Sequence, residues 1–332
     1  MDLLLLPLYL LYRIGSLVKN SLFHVQLFKS EKAPLPTICA GNITFGGSNK
    51  TPLASYLVTF LRTQGYRPAL ISRGYKGNWE KTGGILSDGE NVYGDWRDAG
   101  DEPFMMATDL EGLGVFIGKD RLSSCRKAKE LGFNIAVLDD AFQHRRLRKD
   151  IEIVIWRPEE RIALRESSHS LARADILLVE ESLAVRNIAA RKTPAPAKIF
   201  TYSVVNRGLF SVRDNRPVSF SAVKDKRIVA LAGIARPERF FSLLHTQGIN
   251  PLAKRIFSDH SSYPPHAVKK LLRDCGKLRA DVIITTQKDS VKIKKIKELE
   301  QFNMCYLKIG LDIQEGFGQE ILRSLQRKSE VS

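Results

Sequence analysis

The stretch Leu35-Pro36-Thr37-Ile38-Cys39-Ala40-Gly41-Asn42-Ile43-Thr44-Phe45-Gly46-Gly47-Ser48-Asn49-Lys50-Thr51-Pro52 decides how the chain is read. Its first six residues are an apolar run of strand character. A Gly-rich segment and Lys-Thr follow. Apolar residues then recur at helical spacing (Leu53, Leu57 and Leu61, with Tyr56 and Phe60) up to Gln64, just before Gly65. Strand, loop, lysine, helix is the order of a phosphate-binding loop, in which backbone N–H groups at a helix N-terminus converge on phosphate oxygens. The usual spacing G-x-x-x-x-G-K-[ST] would put glycines at Thr44 and Asn49. Asparagine is, after glycine, the residue most tolerant of left-handed backbone. Thr44, Phe45, Gly46, Gly47, Ser48, Asn49, Lys50, Thr51 and Pro52 are therefore the candidate nucleotide-binding segment. Lys50 is expected to reach the transferred phosphate and the Thr51 hydroxyl to face Mg²⁺. Pro52 suits a first helical turn, where its missing N–H has no helical partner. A plain Gly-Ser turn before a lysine is the alternative.

Further along, Asn134-Ile135-Ala136-Val137-Leu138-Asp139-Asp140 is an apolar strand that ends in two carboxylates. That is the form of a strand that sets an acid near Mg²⁺ beside the loop, although strands also end in Asp for turn reasons. Short apolar strands are predicted at 67–72, 115–117, 151–156 and 176–179, with a helix over 121–131. Strands alternating with helices imply a mainly parallel sheet covered on both faces. The pattern breaks at Thr193-Pro194-Ala195-Pro196. A β-rich segment at 199–205 follows, with 209–212 as its expected partner. A second α/β cycle then begins: strand 227–231, helix 237–246, strand 282–285 and a basic helix over 288–300. The fold class is α/β: a P-loop NTPase-like, mainly parallel sheet with helices on both faces, plus a second, smaller α/β domain. The expected boundaries are 1–30 for an N-terminal hydrophobic region, 31–205 for the kinase-like domain and 206–332 for the second domain.

The chain has 332 residues, 43% of them hydrophobic, which is enough for a core and excludes a disordered chain. Its net charge of +16 favours an anionic partner. No signature of a nucleic-acid-binding module accompanies that charge, so no nucleic acid is expected. Cys39, Cys125, Cys275 and Cys305 have neither disulfide nor zinc spacing and read as buried thiols. The run Leu3 to Tyr12 is apolar and is followed by Arg13, Lys19 and Lys29. As a helix of about 15 Å it is too short to cross a hydrocarbon core of about 30 Å. It reads either as a helix lying in the membrane interface or as one packed on the protein's own core.

At this point the sequence resembles the tetraacyldisaccharide 4'-kinase family. The resemblance rests on residues 41–52, on Ser72-Arg73-Gly74-Tyr75, Ala99-Gly100-Asp101-Glu102-Pro103, Asp139-Asp140-Ala141-Phe142-Gln143-His144-Arg145 and Leu164-Arg165-Glu166. It continues in Phe257-Ser258-Asp259-His260 and Thr285-Thr286-Gln287-Lys288-Asp289. These occur in order from about residue 1 to 310. Asn49 and Ala141 stand where the family usually has glycine, and Gln287 where it has glutamate.

The resemblance implies an ATP- and Mg²⁺-dependent kinase acting on the 4'-hydroxyl of an acylated disaccharide 1-phosphate lipid, at the cytoplasmic face of the bacterial inner membrane. It implies Asp101 as base assisted by His260, with Lys50, Arg121 and Arg165 meeting transition-state charge. Thr51, Asp139 and Asp140 would hold the metal, Gln143 the nucleotide, and Arg73, His144, Arg145 and Glu166 the substrate, Glu166 orienting Arg165. The cationic runs 144–149 and Lys288, Lys292, Lys294, Lys295 and Lys297 read either as solvated faces or as contacts to phosphate or an anionic membrane surface. The competing reading is a P-loop ATPase or scaffold without lipid kinase activity.

Overall fold

The computed structural model describes residues 6–157, 164–182 and 197–330. The Pro-rich break at 193–196 and the first residues of the N-terminal apolar run lie outside them. The principal strands are β1 Thr37–Asn42, β2 Pro68–Ser72, β3 Gly84–Asp88, β4 Gly114–Ile117, β5 Ile135–Asp139 and β6 Ile151–Trp156. They continue with β7 Ile176–Glu180, β8 Lys198–Ser211, β9 Ile228–Ala232, β10 Ala253–Ile256, β11 Val282–Thr286 and β12 Asn303–Ile313. The main helices are α1 Leu6–His24, α2 Lys50–Thr63, α3 Asp101–Asp109, α4 Arg121–Glu130, α5 Pro237–Thr246, α6 Pro265–Lys277, α7 Gln287–Ile293 and α8 Phe317–Glu330.

These strands form one continuous sheet in the order β10-β9-β11-β12-β8-β7-β6-β1-β5-β2-β4-β3. β1, β2, β5 and β6 are buried along their whole length. Strands covered on both faces need apolar residues at every position, which is why they read as continuous runs rather than as alternation. Successive residues still face opposite cores. Ile38 packs with Leu53, Leu57 and Leu61 of α2 and with Val137, whereas Cys39 packs with Ile71, Phe116, Leu138 and Phe142. All four cysteines are free and buried.

The loop-bearing strand β1 lies between β5 and β6, with Ala40 opposite Asp139. That register places Asp139 and Asp140 beside the loop, at the carboxyl end of the sheet where α/β folds bind ligands.

Two local expectations change. Residues 209–212 do not fold back on 199–205, because 199–205 and 209–211 belong to the same 14-residue β8 and Val212 directly follows it. Gly208, at φ +114, absorbs a register shift there and lets the strand continue instead of turning. The predicted basic helix over 288–300 is α7, which ends at Ile293. Extended backbone at Ile296 (φ −94, ψ 100) separates it from a short 3₁₀ turn at Lys297–Leu299.

The expected boundary near 205 falls inside β8, which pairs in parallel with β7 through residues 198–202 and antiparallel with β12 through residues 202–211.

Candidate active site

Asn42, at the end of β1, gives the loop its shape. Its buried Nδ2 donates to the Thr44 carbonyl at 2.9 Å and to Ser48 Oγ at 2.7 Å, so one side chain pins both ends of the loop. Gly46 takes φ +89 and Asn49 φ +61, the left-handed backbone anticipated for Asn49. Gly41 is required by close approach, since a Cβ there would lie 2.5 Å from Phe142 Cβ. Lys50 opens α2, donates to Ser48 Oγ at 3.2 Å and lies 3.5 Å from Asp140. Asp140 also accepts from Arg165 Nη1 at 2.7 and 2.8 Å. The Arg165 main chain donates to Ile43 O at 2.7 Å, which lays residues 164–166 against the loop. Gln143 Nε2 donates to Asn42 O at 2.7 Å. Ala141 has no positive φ, so alanine at this position costs no backbone strain.

Facing this wall, Asp101 opens α3 behind Gly100, and Thr51 Oγ1 donates to Glu102 at 2.8 Å. Both Asp101 oxygens lie 3.1 Å from His260 Nδ1. Lys292 Nζ donates to Asp101 Oδ2 at 3.1 Å. Lys288 Nζ donates to Glu102 at 2.9 Å and to Asp259 at 3.1 Å, and lies 3.3 Å from His260 Nε2. These lysines are placed by the cap of α7: Thr286 Oγ1 accepts from Asp289 N, and Asp289 accepts from Thr286 Oγ1 and Gly233 N. Gly74 allows residues 73–75 to run against Ala99, where a Cβ would meet the Ala99 carbonyl at 2.9 Å. The Tyr75 ring packs edge-on against His260.

The electrostatics differ between the walls. Burial pushes the Asp139 carboxyl up to about 7, and the neighbouring Glu102 and Asp140 add to this. Its Oδ1 is buried without a hydrogen-bond partner. Burial would also raise Asp101, but the His260 hydrogen bond and the Lys288 and Lys292 ammoniums outweigh it and hold the carboxyl well below its usual range. Burial, then Glu102 and Asp101, act in opposite directions on Lys288, and the carboxylates prevail, raising it. His144 is lowered to about 3 by burial, then by Arg121 and Lys149. Arg121 is 4% exposed, its guanidinium makes no ion pair among the described residues, and its Nε has no partner.

A cleft of about 1500 Å³ separates the walls. It is lined by the loop from Phe45 to Pro52, by Asp101, Asp139, Asp140 and His260, and by Arg73, Arg121, Gln143, His144 and Arg165. The family model described as Tetraacyldisaccharide-1-P 4'-kinase matches residues 1–326. The chain belongs to the tetraacyldisaccharide-1-phosphate 4'-kinase family. It is 32% identical over 301 residues to the tetraacyldisaccharide 4'-kinase of Pelobacter propionicus, covering 87% of this chain and 82% of that one. It is 34% identical over 352 residues to that of Chlorobium phaeovibrioides, covering 98% and 97%. The crystal structure of LpxK from Aquifex aeolicus in complex with ATP superposes with a TM-score of 0.76 at 26% identity, over 98% of each chain. The chain is thus a phosphotransferase of the tetraacyldisaccharide 4'-kinase family.

The structure brings most of the kinase's sequence-predicted site residues to the cleft but turns some elsewhere. Arg73 lines it with its Nε on Glu80 at 2.6 Å. Arg145 and Glu166 hold α1 instead: Arg145 donates to Asn20 O at 2.9 Å and lies over the Phe23 ring. Glu166 accepts from Asn20 at 3.1 Å and from Arg173 at 2.7 Å, while its neighbour Arg165 points to Asp140. Lys149, read as part of a charged run, is buried on Glu152 and donates to the Ala141, Phe142 and His144 carbonyls. Lys288 and Lys292 leave the supposed basic face for the site. Glu102 and Asn42 were present in the quoted motifs without a role assigned to them.

The N-terminal helix also meets the site. The Tyr12 ring lies 5.4 Å from that of Phe45, Ser16 donates to Arg165 O, and Lys19 donates to Gln143 O at 3.0 Å. Its other side exposes Ile14, Leu17 and Val18. Among the described residues, no helix is long and apolar enough to cross a membrane.

Proposed function

We propose that this kinase transfers the γ-phosphate of ATP to the 4'-hydroxyl of an acylated disaccharide 1-phosphate lipid at the cytoplasmic face of the bacterial inner membrane. The observation that carries this reading is the cleft itself. A phosphate loop with Lys50 forms one wall, the Asp101–His260 pair forms the other, and α1 lines the same cleft through Tyr12 and Lys19 while exposing Ile14, Leu17 and Val18 on its other side.

The loop amides from Thr44 to Thr51 cradle the phosphates, and Lys50 and Arg165 neutralise charge that accumulates on the transferred group. Arg121 is a buried cation that makes no ion pair among the described residues and whose Nε has no hydrogen-bond partner, which suits a group whose negative charge arrives with the nucleotide or the acceptor. The residues fit Mg²⁺: Asp139, with its orphaned oxygen and raised carboxyl, lies beside Asp140, Glu102 and the Thr51 hydroxyl, and a dication would discharge this group of anions. Thr51, Asp139 and Asp140 would hold the ion, with Glu102 beside them; when bound, it supplies charge neutralisation on the phosphate oxygens.

Asp101 accepts the proton of the attacking hydroxyl, and His260 orients it. Two ammoniums and an imidazole make Asp101 a weak base. In a loose phosphoryl transfer little charge develops on the nucleophile before the bond forms, so a weak base that stays ionised is sufficient. The N-terminal half, up to β8, is the kinase domain, and the half that begins within β8 is a second domain that supplies His260, Lys288 and Lys292. His144 and Arg73 face the acceptor, and α1 rests at the membrane surface through Ile14, Leu17 and Val18.

The test uses purified protein, labelled ATP and the disaccharide 1-phosphate lipid in detergent micelles. Label should reach the lipid, and Lys50→Ala should abolish it. ATP hydrolysis without lipid labelling would instead support the ATPase reading. For the membrane surface, Ile14→Ser, Leu17→Ser and Val18→Ser combined should weaken sedimentation with anionic vesicles. Deleting residues 2–12 is the coarser test, because Tyr12 also contacts the site.

A further inference from the structure

Asn49 occupies the position at which phosphate-binding loops carry glycine. Its backbone (φ 61, ψ 21) is what a glycine would supply, and its side chain makes no capping hydrogen bond to α2. Instead Nδ2 donates to Tyr202 Oη at 3.3 Å, across 153 residues of chain. Tyr202 is 1% exposed. It is the position of β8 that pairs with both β7 and β12, opposite Glu180 and Ile313. Residues before it pair only with β7, and those after it only with β12 among these two strands. Polar contacts continue from there. Arg157 lies against Tyr202 and reaches Glu180 Oε2 at 3.4 Å, and Arg239 of α5 donates to the same oxygen at 3.0 Å. The loop is thus linked to the residue at which the sheet of the N-terminal half becomes that of the C-terminal half.

We propose that Asn49 and Tyr202 are positioning residues for the phosphoryl transfer. Their hydrogen bond ties the phosphate loop to β8, so that ATP in the loop fixes the placement of the β8–β12 pair and of the half that contributes His260 and Lys288. This rests on the reading above that ATP fills the loop. A neutral hydrogen bond and the coupling it carries correspond to about fivefold in an equilibrium. Glycine at residue 49 would keep the left-handed backbone and lose only the tie. The tie is therefore a property of this chain's asparagine rather than of the loop geometry.

The test is amide hydrogen exchange of the full chain with and without ATP and Mg²⁺, on wild type, Asn49→Gly, Tyr202→Phe and the double variant. In wild type, ATP should slow exchange at residues 44–51 and, by about fivefold, at 203–211 and 305–313. In each single variant the protection at 44–51 should remain and that at the distant strands should disappear, with no further loss in the double variant. In the lipid kinase assay each single variant should lower kcat about fivefold, and the double variant should match the singles instead of multiplying them. Distant protection that survives in either single variant, its absence in wild type, or multiplicative kcat losses would each overturn the proposal. Absence of ATP protection at 44–51 in wild type would overturn the nucleotide reading, and the tie with it. Normal exchange behaviour without lipid labelling would remove only the acceptor assignment.

Discussion

The wall that carries Lys50, Thr51, Asp139 and Asp140 is built from main chain at the ends of two adjacent parallel strands, whereas the opposite wall assembles side chains from three separate segments, at 101–102, 259–260 and 288–292. In the first, the peptide backbone does most of the shaping and the side chains project from it. In the second, each charge is held by the others: Lys292 on Asp101, Lys288 on Glu102 and Asp259, His260 between Asp101 and Lys288. Loss of one side chain from the first wall should therefore remove a function and leave the fold, while loss of one from the second should disturb both.

The strongest test of that contrast is Lys50→Ala, for which kcat should fall on the order of 10⁴-fold with an unchanged melting temperature. A melting temperature that drops with the activity would erase the distinction. Next, Lys292→Met should take from the buried Asp101 the nearer of its two ammoniums, leaving Lys288 at 4.0 Å and His260, and cost about 3 kcal/mol of stability, the low end for a broken buried pair, read by urea denaturation. A value near zero would mean that Lys288 and His260 alone hold the carboxylate. His260→Ala should lower kcat about 10²-fold, the lower end for a proton-transfer partner, with a smaller stability loss than Lys292→Met. The smallest effect concerns pH. The unfolded chain protonates His144 near its ordinary value of 6.5, while the folded chain resists this down to about 3. This contribution to stability is complete above pH 6.5 and is lost as pH falls through that window. His144→Gln should remove that share of the acid destabilisation. Asp139, raised to about 7, favours the folded state on the acid side and so acts in the opposite direction. The comparison is therefore the difference in melting temperature between wild type and variant at pH 7.5 and 5.5.

The same contrast explains what could be read before the fold was known. The loop, the Asp139–Asp140 strand and the order of β-α units were legible because each is set by local spacing: an apolar run of the right length, a Gly-rich turn, a lysine at the start of a helix. Asp101 and His260 were named only through the resemblance, since nothing in a Gly-Asp-Glu-Pro turn or a single histidine indicates a partner 159 residues away. For Lys288 and Lys292 the sequence leaves a solvated face and an anion contact both open, because the carboxylates that bury them lie far away in the chain. Arg145 and Glu166 are legible as substrate-facing charges through the resemblance and not as supports of α1, because the helix they hold lies more than a hundred residues earlier in the chain. Asn49 shows the limit most clearly. Its backbone conformation could be anticipated from residue chemistry, but the bond to Tyr202 could not.

The double pairing of β8 also bears on how the protein is made. A ribosome delivers β7 before β8, so residues 198–202 find their partner at once. Beyond Tyr202 the side that faces β12 must wait, with only Leu209 and Phe210 paired meanwhile on the other side, to Val218 and Pro217; residues 212–302 emerge in between, a delay of about 5–20 s at ordinary synthesis rates. Through that interval one side of β8 presents the kind of open edge on which chains aggregate. Premature termination anywhere between 212 and 302 should therefore yield insoluble fragments, while chains ending near residue 202 should be better behaved.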